Sequence, residues 1–161
     1  MRVVLQRVRR AAVHADGARL GAIDAGIVVL FGVGKADHAR DAELLADKVA
    51  GLRIFDDDAG RMNRSLRDVG GRVLVVPQFT LYGDVRHGRR PDFAAAAAPE
   101  DGRRLYDAFV GFLRGRDLGV ETGRFGAHMR VELENDGPVT IVLSTDAWPE
   151  ADLAGRAAAN A

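Results

Sequence analysis

Apolar and polar positions are patterned from the first residues of the chain. Residues 2–15 are rich in Val, Leu and Ala, broken by Gln6 and by arginines, and the same character resumes at 18–23 after Asp16-Gly17. An Asp-Gly pair between two such runs is a tight-turn signal, so the pattern predicts hairpin strands over 2–15 and 18–23. Gly26 to Val33 is a continuous apolar run flanked by glycines, the pattern of a strand buried on both faces. Asp37 then offers an N-cap, and Leu45, Val49 and Leu52 recur at i, i+4 and i+7 among charged residues. That spacing predicts an amphipathic helix of about four turns packing one stripe on a sheet. Gly70-Gly71 starts a strand from Arg72 to Val76. A second helix is expected from Pro99 to Arg114, with Glu100 and Asp101 at its positive end and Leu105, Phe109 and Phe112 as its stripe. Met129, Val131 and Leu133 alternate with Arg130, Glu132 and Glu134, which predicts a half-exposed strand over 128–135. Asn135-Asp136-Gly137-Pro138 is expected to turn the chain into a last strand at 138–144.

These elements sum to an α+β fold: a mostly antiparallel, β-barrel-like sheet with two flanking helices. Residues 1–145 form one domain. The alanine-rich segment 146–161 lacks an apolar period long enough for a core and is expected to be a loosely ordered tail. No internal repeat or composition break marks a second domain.

Composition narrows the function classes. Lys+Arg and Asp+Glu both number 23, so no net field draws the whole molecule to nucleic acid, and such a partner needs a local basic patch or a shaped pocket. There is no cysteine, which removes disulfides, thiolate catalysis and Cys-based zinc sites and suits a reducing cytoplasm. No apolar run approaches the ~20 residues that span a bilayer, and early arginines argue against a signal peptide. His14, His38, His87 and His128 lack metal-ligand spacing, the acidic run Asp56-Asp57-Asp58 lacks that of an EF-hand, and Gly32-Val33-Gly34-Lys35 lacks that of a P-loop. Neither a metal nor a cofactor is expected, and no nucleophile–base–acid set is evident.

Three stretches invite a functional as well as a structural reading. Pro77 cannot donate to a sheet ladder, so it marks where a buried strand ends. Gln78 and Thr80 then fall at alternate positions and can face one side, although an ordinary surface strand would look the same. Gly137-Pro138 allows unusual backbone angles and a cis bond, or is a plain turn. Within Thr122 to Met129, small residues alternate with Phe125 and Met129, which can line a slot for a flat ring or simply enter the core.

Taken together, these segments resemble the D-aminoacyl-tRNA deacylase family from Met1 to about Thr145. Gln6-Arg7-Val8 is similar to its first strand and Arg61-Met62-Asn63 to its [KR]MN segment. Gln78-Phe79-Thr80-Leu81 resembles its SQFTL signature, Arg90-Pro91-Asp92-Phe93 its RPxF, Thr122-Gly123-Arg124-Phe125 its TGRF, and Asn135 to Thr140 its NDGPVT. Pro77 stands where the family usually has serine, so a hydroxyl and an N–H are missing there. A related eukaryotic group carries that proline, but with alanine where this chain keeps Phe79.

The resemblance implies a cytoplasmic homodimer, without metal or cofactor, that hydrolyses the ester of D-aminoacyl-tRNA and of glycine mischarged on tRNA(Ala). Its sites would lie at the interface, where a cis Gly137-Pro138 reaches into the partner's pocket and its carbonyl oxygens reject L-side chains. Main-chain N–H groups around Gln78 and Phe79 would bind the ester oxygen, with Thr80 positioning groups rather than acting as nucleophile. Phe125, Ala127 and Met129 would hold the terminal adenine of the tRNA 3′ end, and Pro77 and Arg7 complete the substrate-binding set. Two alternatives stay open: an editing deacylase aimed mainly at glycine or small L-amino acids on tRNA, and a non-catalytic barrel that binds the tRNA end.

Overall fold

Strand β1 (Arg2–Ala15) organises the sheet. Its first half lies between β8 (Arg130–Ser144) and β3 (Gly26–Gly32), and its second half between β8 and β2 (Ala18–Ile23), all antiparallel. The β1–β2 turn is the expected one: Asp16 and Gly17 both take positive φ, 51° and 77°, the conformation that suits an Asp-Gly hairpin. The computed structural model describes residues 1–147; of the expected tail, only Asp146 and Ala147 fall within it.

The rest of the sheet is parallel. β3 pairs with β6 (Arg72–Pro77), and β6 with β7 (Gly119–Thr122). Parallel neighbours need long crossovers, and helices α1 (Ala39–Gly51) and α2 (Pro99–Arg114) lie in the two connections. A Cβ added to Gly21 of β2 would stand 3.1 Å from Glu121 Cβ and 3.3 Å from Thr122 O of β7, so the sheet nearly closes on itself. The barrel-like α+β fold holds, with a parallel segment that residue pattern does not announce.

Two core layers result. On the helix side, Val3, Leu5, Ile27, Val29, Val73 and Val75 pack with Leu45 and Val49 of α1 and Leu105 and Leu113 of α2. Phe31 stacks on Phe109 at 4.2 Å between ring centroids. Side chains of this size each contribute about 1.5–3 kcal/mol when fully buried. Inside the curl, Val8, Ala11, Val13 and Ile23 pack with Val28, Leu74 and Val76.

Three local expectations need correction, and two short strands are added. Residues 130–144 are one strand, not two joined by a turn: β8 pairs with β1 on both sides of Gly137-Pro138, and residues 136–139 bulge out opposite Arg7. Helix α1 is capped by His38, whose N–H donates to Asp41 Oδ2 at 2.7 Å, because Asp37 turns inward instead. Two short strands without an apolar pattern of their own, β4 (Arg53–Asp56), which buries Ile54, and β5 (Met62–Ser65), flank the acidic loop. Residues Phe79–Tyr82 form a 3₁₀ turn rather than extended chain.

Candidate active site

The C-terminal ends of the parallel strands β3, β6 and β7 share one end of the sheet, the place where ligands gather in open α/β sheets. Pro77 pairs with Phe31 at the end of β6. Gln78 N then donates to Phe31 O at 2.8 Å, and the chain breaks into the 3₁₀ turn. Gly32 and Gly34 make room for it: a Cβ on Gly32 would stand 2.8 Å from Gln78 O, and one on Gly34 2.7 Å from the Tyr82 ring. Any side chain at these two positions would push the turn off the sheet.

The turn itself is tied from below. Tyr82 is buried, and its hydroxyl donates to Asp37 Oδ2 at 3.1 Å, which also accepts from Gly34 N at 2.6 Å. Burial first, and Asp37 second, push the Tyr82 phenol far above its ordinary range, so it stays a donor. The Arg2 guanidinium lies 4.4 Å from the Tyr82 ring centroid and donates to Leu81 O at 3.0 Å. Arg2, Asp37 and Tyr82 stand outside the family motifs, and only their contacts reveal this bracing.

Gln78 and Thr80 do meet, through the turn rather than through strand alternation: Gln78 Nε2 donates to Thr80 Oγ1. No histidine or carboxylate is hydrogen-bonded to Thr80 among the described residues. Of the amides expected to face an ester oxygen, Gln78 N is taken by Phe31 O. The first amides of a helical turn have no acceptor within it, and among the described residues neither Phe79 N nor its neighbour Thr80 N has one. Both residues are exposed, with the Phe79 ring edge-on to Phe93 at 5.1 Å. The arrangement offers two N–H donors without a protein acceptor and a hydroxyl, all on exposed residues, able to stabilise an oxyanion but not to build a conventional nucleophile.

Met129, Gly123 and Pro77 converge beside this turn; a Cβ on Gly123 would stand 2.7 Å from Met129 Sδ and 3.4 Å from Pro77 Cδ. Ala127, half-buried, closes a short turn by donating from its N–H to Arg124 O at 3.2 Å. Phe125 faces the other layer, where its ring lies 6.2 Å from that of Tyr106 on α2 and edges a cleft of about 280 Å³ lined also by Thr122 and Gly123. Phe125 and Met129 therefore flank Gly123 from opposite layers instead of lining one wall.

Gly137 and Pro138 sit elsewhere. Their peptide bond is cis, Gly137 has φ 127°, and both residues are exposed. Arg7, 6% exposed, fastens the bulge: Nε donates to Asp136 O at 3.1 Å and Nη1 to Ile54 O at 2.6 Å, with the Asp56 and Asp136 carboxylates each at 3.4 Å. Asn135, read from the sequence only as part of a turn, bridges the bulge, accepting from Val139 N at 3.0 Å and donating to Val139 O at 3.3 Å. From this bulge to Pro77 is three strand spacings, about 14 Å, and four residues of strand, about 13 Å. Within one chain the two features do not form one site. Among the described residues no group of three or more His, Asp or Glu side chains is gathered as a metal site requires.

Comparison with known proteins gives this geometry a lineage. The profile of the D-Tyr-tRNA(Tyr) deacylase family matches residues 4–144. D-aminoacyl-tRNA deacylases from Thermotoga petrophila and Anaeromyxobacter dehalogenans are 57% and 59% identical over 145 residues, covering 90% of this chain and 97% of each relative. A solved structure described as c-Myc DNA Unwinding Element Binding Protein superposes with a TM-score of 0.84 at 39% identity, covering 90% of this chain and 99% of that one. With the match running from β1 through both the turn after Pro77 and the bulge at Gly137-Pro138, the chain belongs to the D-Tyr-tRNA(Tyr) deacylase family.

Proposed function

We propose that this chain works in the cytoplasm as a homodimer that hydrolyses the ester joining a D-amino acid, or glycine mischarged on tRNA(Ala), to the tRNA 3′ end. The observation that carries the chemistry is the pair of unengaged amides at Phe79 and Thr80 beside a hydroxyl with no base. An aminoacyl ester is already activated and has a ribose hydroxyl next to it. It needs positioning and a place for the oxyanion more than a strong protein base. Water, assisted by the RNA hydroxyl, attacks the ester carbon; the amides hold the developing negative oxygen; the 3′-oxygen leaves with a proton. Gln78 orients Thr80, which positions rather than attacks. Pro77 contributes shape but no donor.

The distance between that turn and the Gly137-Pro138 bulge supports a site completed by a second copy. So does the apolar row between them, which grades from exposed Val142 through half-buried Val4 and Leu30 to buried Val76, each paired across strands with the next. Val142 is 70% exposed at the outer edge of the sheet, and a long edge strand calls for cover. In the dimer, the bulge of one chain meets the turn of the other, and its main-chain oxygens exclude an L-side chain while a D-side chain or glycine passes. Selection by rejection leaves side-chain identity open. Phe125, Ala127 and Met129 hold the terminal adenine, with Phe125 and Met129 reaching it from opposite layers of the sheet, and stacking contributes about 1–3 kcal/mol.

Side-by-side hydrolysis of tRNA charged with D-tyrosine, L-tyrosine and glycine tests this. The D- and glycyl-esters should be cleaved and the L-ester spared. Cleavage of the L-ester at a comparable rate would refute the chiral filter, and no cleavage of any would leave a tRNA-end-binding barrel. Glycine turned over far faster than D-tyrosine would favour a glycine-editing enzyme, for which Pro77 speaks.

A further inference from the structure

We propose that the loop between Asp84 and Asp92 is the phosphate-binding arm of this site and takes the sugar–phosphate backbone of the RNA that carries the acyl group. The inference rests on the function proposed above. Residues 85–91 read Val-Arg-His-Gly-Arg-Arg-Pro, three arginines and a histidine with no acid among them. In a chain whose charges balance, this is the kind of local patch that a nucleic acid requires.

The loop is anchored to the wall of the site. Asp84 N donates to Asp92 O at 2.7 Å and Asp92 N to Asp84 O at 2.9 Å, closing its base two residues beyond the 3₁₀ turn. Phe93, next along, packs edge-on to Phe79 and lies against Gly83. Anything bound at Phe79 and Thr80 therefore has this loop beside it. Arg86 is spent on the loop itself, its Nε and Nη2 holding both Asp84 carboxylate oxygens. Arg89 and Arg90 are different: both are exposed, and among the described residues neither has an ion pair or hydrogen bond. Some arginines elsewhere are paired, such as Arg10 with Glu134 and Arg124 with Asp16. Arg19, Arg40 and Arg103 are also without an ion pair among the described residues, but Arg89 and Arg90 stand on the loop that adjoins the turn. Two guanidinium groups with free donors suit phosphate oxygens, which they bind in bidentate fashion.

A competing cluster, Arg67, Arg72 and Arg116, lines a second cleft. It lies at the opposite ends of β6 and β7, and its Arg72 and Arg116 are already held by Glu121 and Asp47. A backbone that reaches Thr80 does not have to pass it.

The test compares D-tyrosyl-tRNA with D-tyrosyl-adenosine, which has the same ester and no phosphate, using wild type and the double variant Arg89→Gln/Arg90→Gln. On tRNA the variant should lose about tenfold in kcat/KM at low salt, through KM, with kcat kept. Its plot of log kcat/KM against log salt should be shallower by about 1.4, two contacts at ~0.7 each. Cleavage of D-tyrosyl-adenosine should not change, and Arg89→Lys/Arg90→Lys should restore the salt slope. Equal losses on both substrates would make the loop a prop of the site wall and overturn the proposal, as would an unchanged rate and slope on tRNA. Poly-glutamate competing as well as uncharged tRNA would overturn its assignment to RNA. A wild type inactive on both substrates would instead defeat the proposed hydrolysis itself.

Discussion

Arg7 grips Asp136 by its main chain and its side chain at once, with Nε 3.1 Å from the carbonyl oxygen and 3.4 Å from the carboxylate. A nearly buried guanidinium on β1 thus fixes the position of a surface bulge more than a hundred residues away. The same group satisfies Ile54 O, so truncation leaves a buried acceptor without its donor. Arg7→Ala should lower stability by about 1–3 kcal/mol. It should also blur discrimination between D- and L-aminoacyl-tRNA more than Arg7→Lys does. Thermal unfolding and the D/L rate ratio measure the two effects separately; a wild-type ratio in a folded Arg7→Ala protein would mean that the bulge holds itself.

Gly137 has its own constraint. At φ 127°, a Cβ would stand 2.7 Å from Val139 Cγ2 and 3.0 Å from Val139 N, with Arg7 Nη2 at 3.3 Å. Two main-chain-linked neighbours cannot both retreat, so Gly137→Ala must move the bulge. The expected result is a folded protein, destabilised by about 1–3 kcal/mol, with altered D/L discrimination. Unchanged stability and selectivity together would show that the site tolerates a shifted bulge.

Thr80 separates positioning from covalent catalysis. Its hydroxyl is held by Gln78 Nε2 and, among the described residues, by no base, and the donors proposed for the oxyanion are main-chain groups that survive substitution. Thr80→Ala should keep measurable hydrolysis, with loss of about tenfold rather than abolition. An acyl group trapped on Thr80 and seen by mass spectrometry would overturn the positioning role.

Local chemistry was legible in the sequence where a few adjacent residues decide the structure. Asp16-Gly17 determines a turn, and the stripe of Leu105 and Phe109 behind Pro99 determines a helix. The bulge was not legible: Asn135 to Pro138 has the composition of a hairpin turn, and the chain continues as one strand because β1 pairs with it on both sides. The helix cap shifted to His38 because Asp37 is drawn to Gly34 and Tyr82, a competition settled in three dimensions. Parallel pairing of β3, β6 and β7 likewise depends on crossovers that no single window of sequence displays. Within the proposed site, the motif spans the turn at Gln78 to Leu81, while Arg2, Tyr82 and Asn135 came to light only through their contacts.

The loop base makes a pH prediction. The Arg86 guanidinium, by its hydrogen bonds, holds the Asp84 carboxyl well below its ordinary 3.8, at about 2. A depressed carboxyl contributes stability that is present above the ordinary value and is lost as pH falls through the lower one. The Asp84–Arg86 clip should therefore stay closed down to pH 4 and open towards about pH 2. The Asp84 carboxyl carbon, followed by NMR, should titrate near 2 in the wild type and move back towards 3.8 in Arg86→Ala. The same midpoint in both proteins would rule the clip out in solution.

Val142 tests the dimer without touching the proposed chemistry. It stands 70% exposed on β8, directly paired with half-buried Val4, and nothing pairs the outer edge of β8 among the described residues. In a two-fold dimer any change there is counted twice. Val142→Lys removes apolar cover and brings a charge to each side of the contact, yet an exposed position leaves the fold of one chain nearly unaffected. Dimer dissociation should strengthen by at least about tenfold, which corresponds to about 1.4 kcal/mol. Deacylation should then depend on protein concentration, recovering as the variant is driven back to dimer, because the bulge at Gly137 and the turn at Thr80 are too far apart in one chain to act together. Sedimentation velocity and activity measured on the same dilution series decide the matter. A wild type that is monomeric and fully active throughout the series would place the whole site within one chain, and the bulge at Gly137 would need another role.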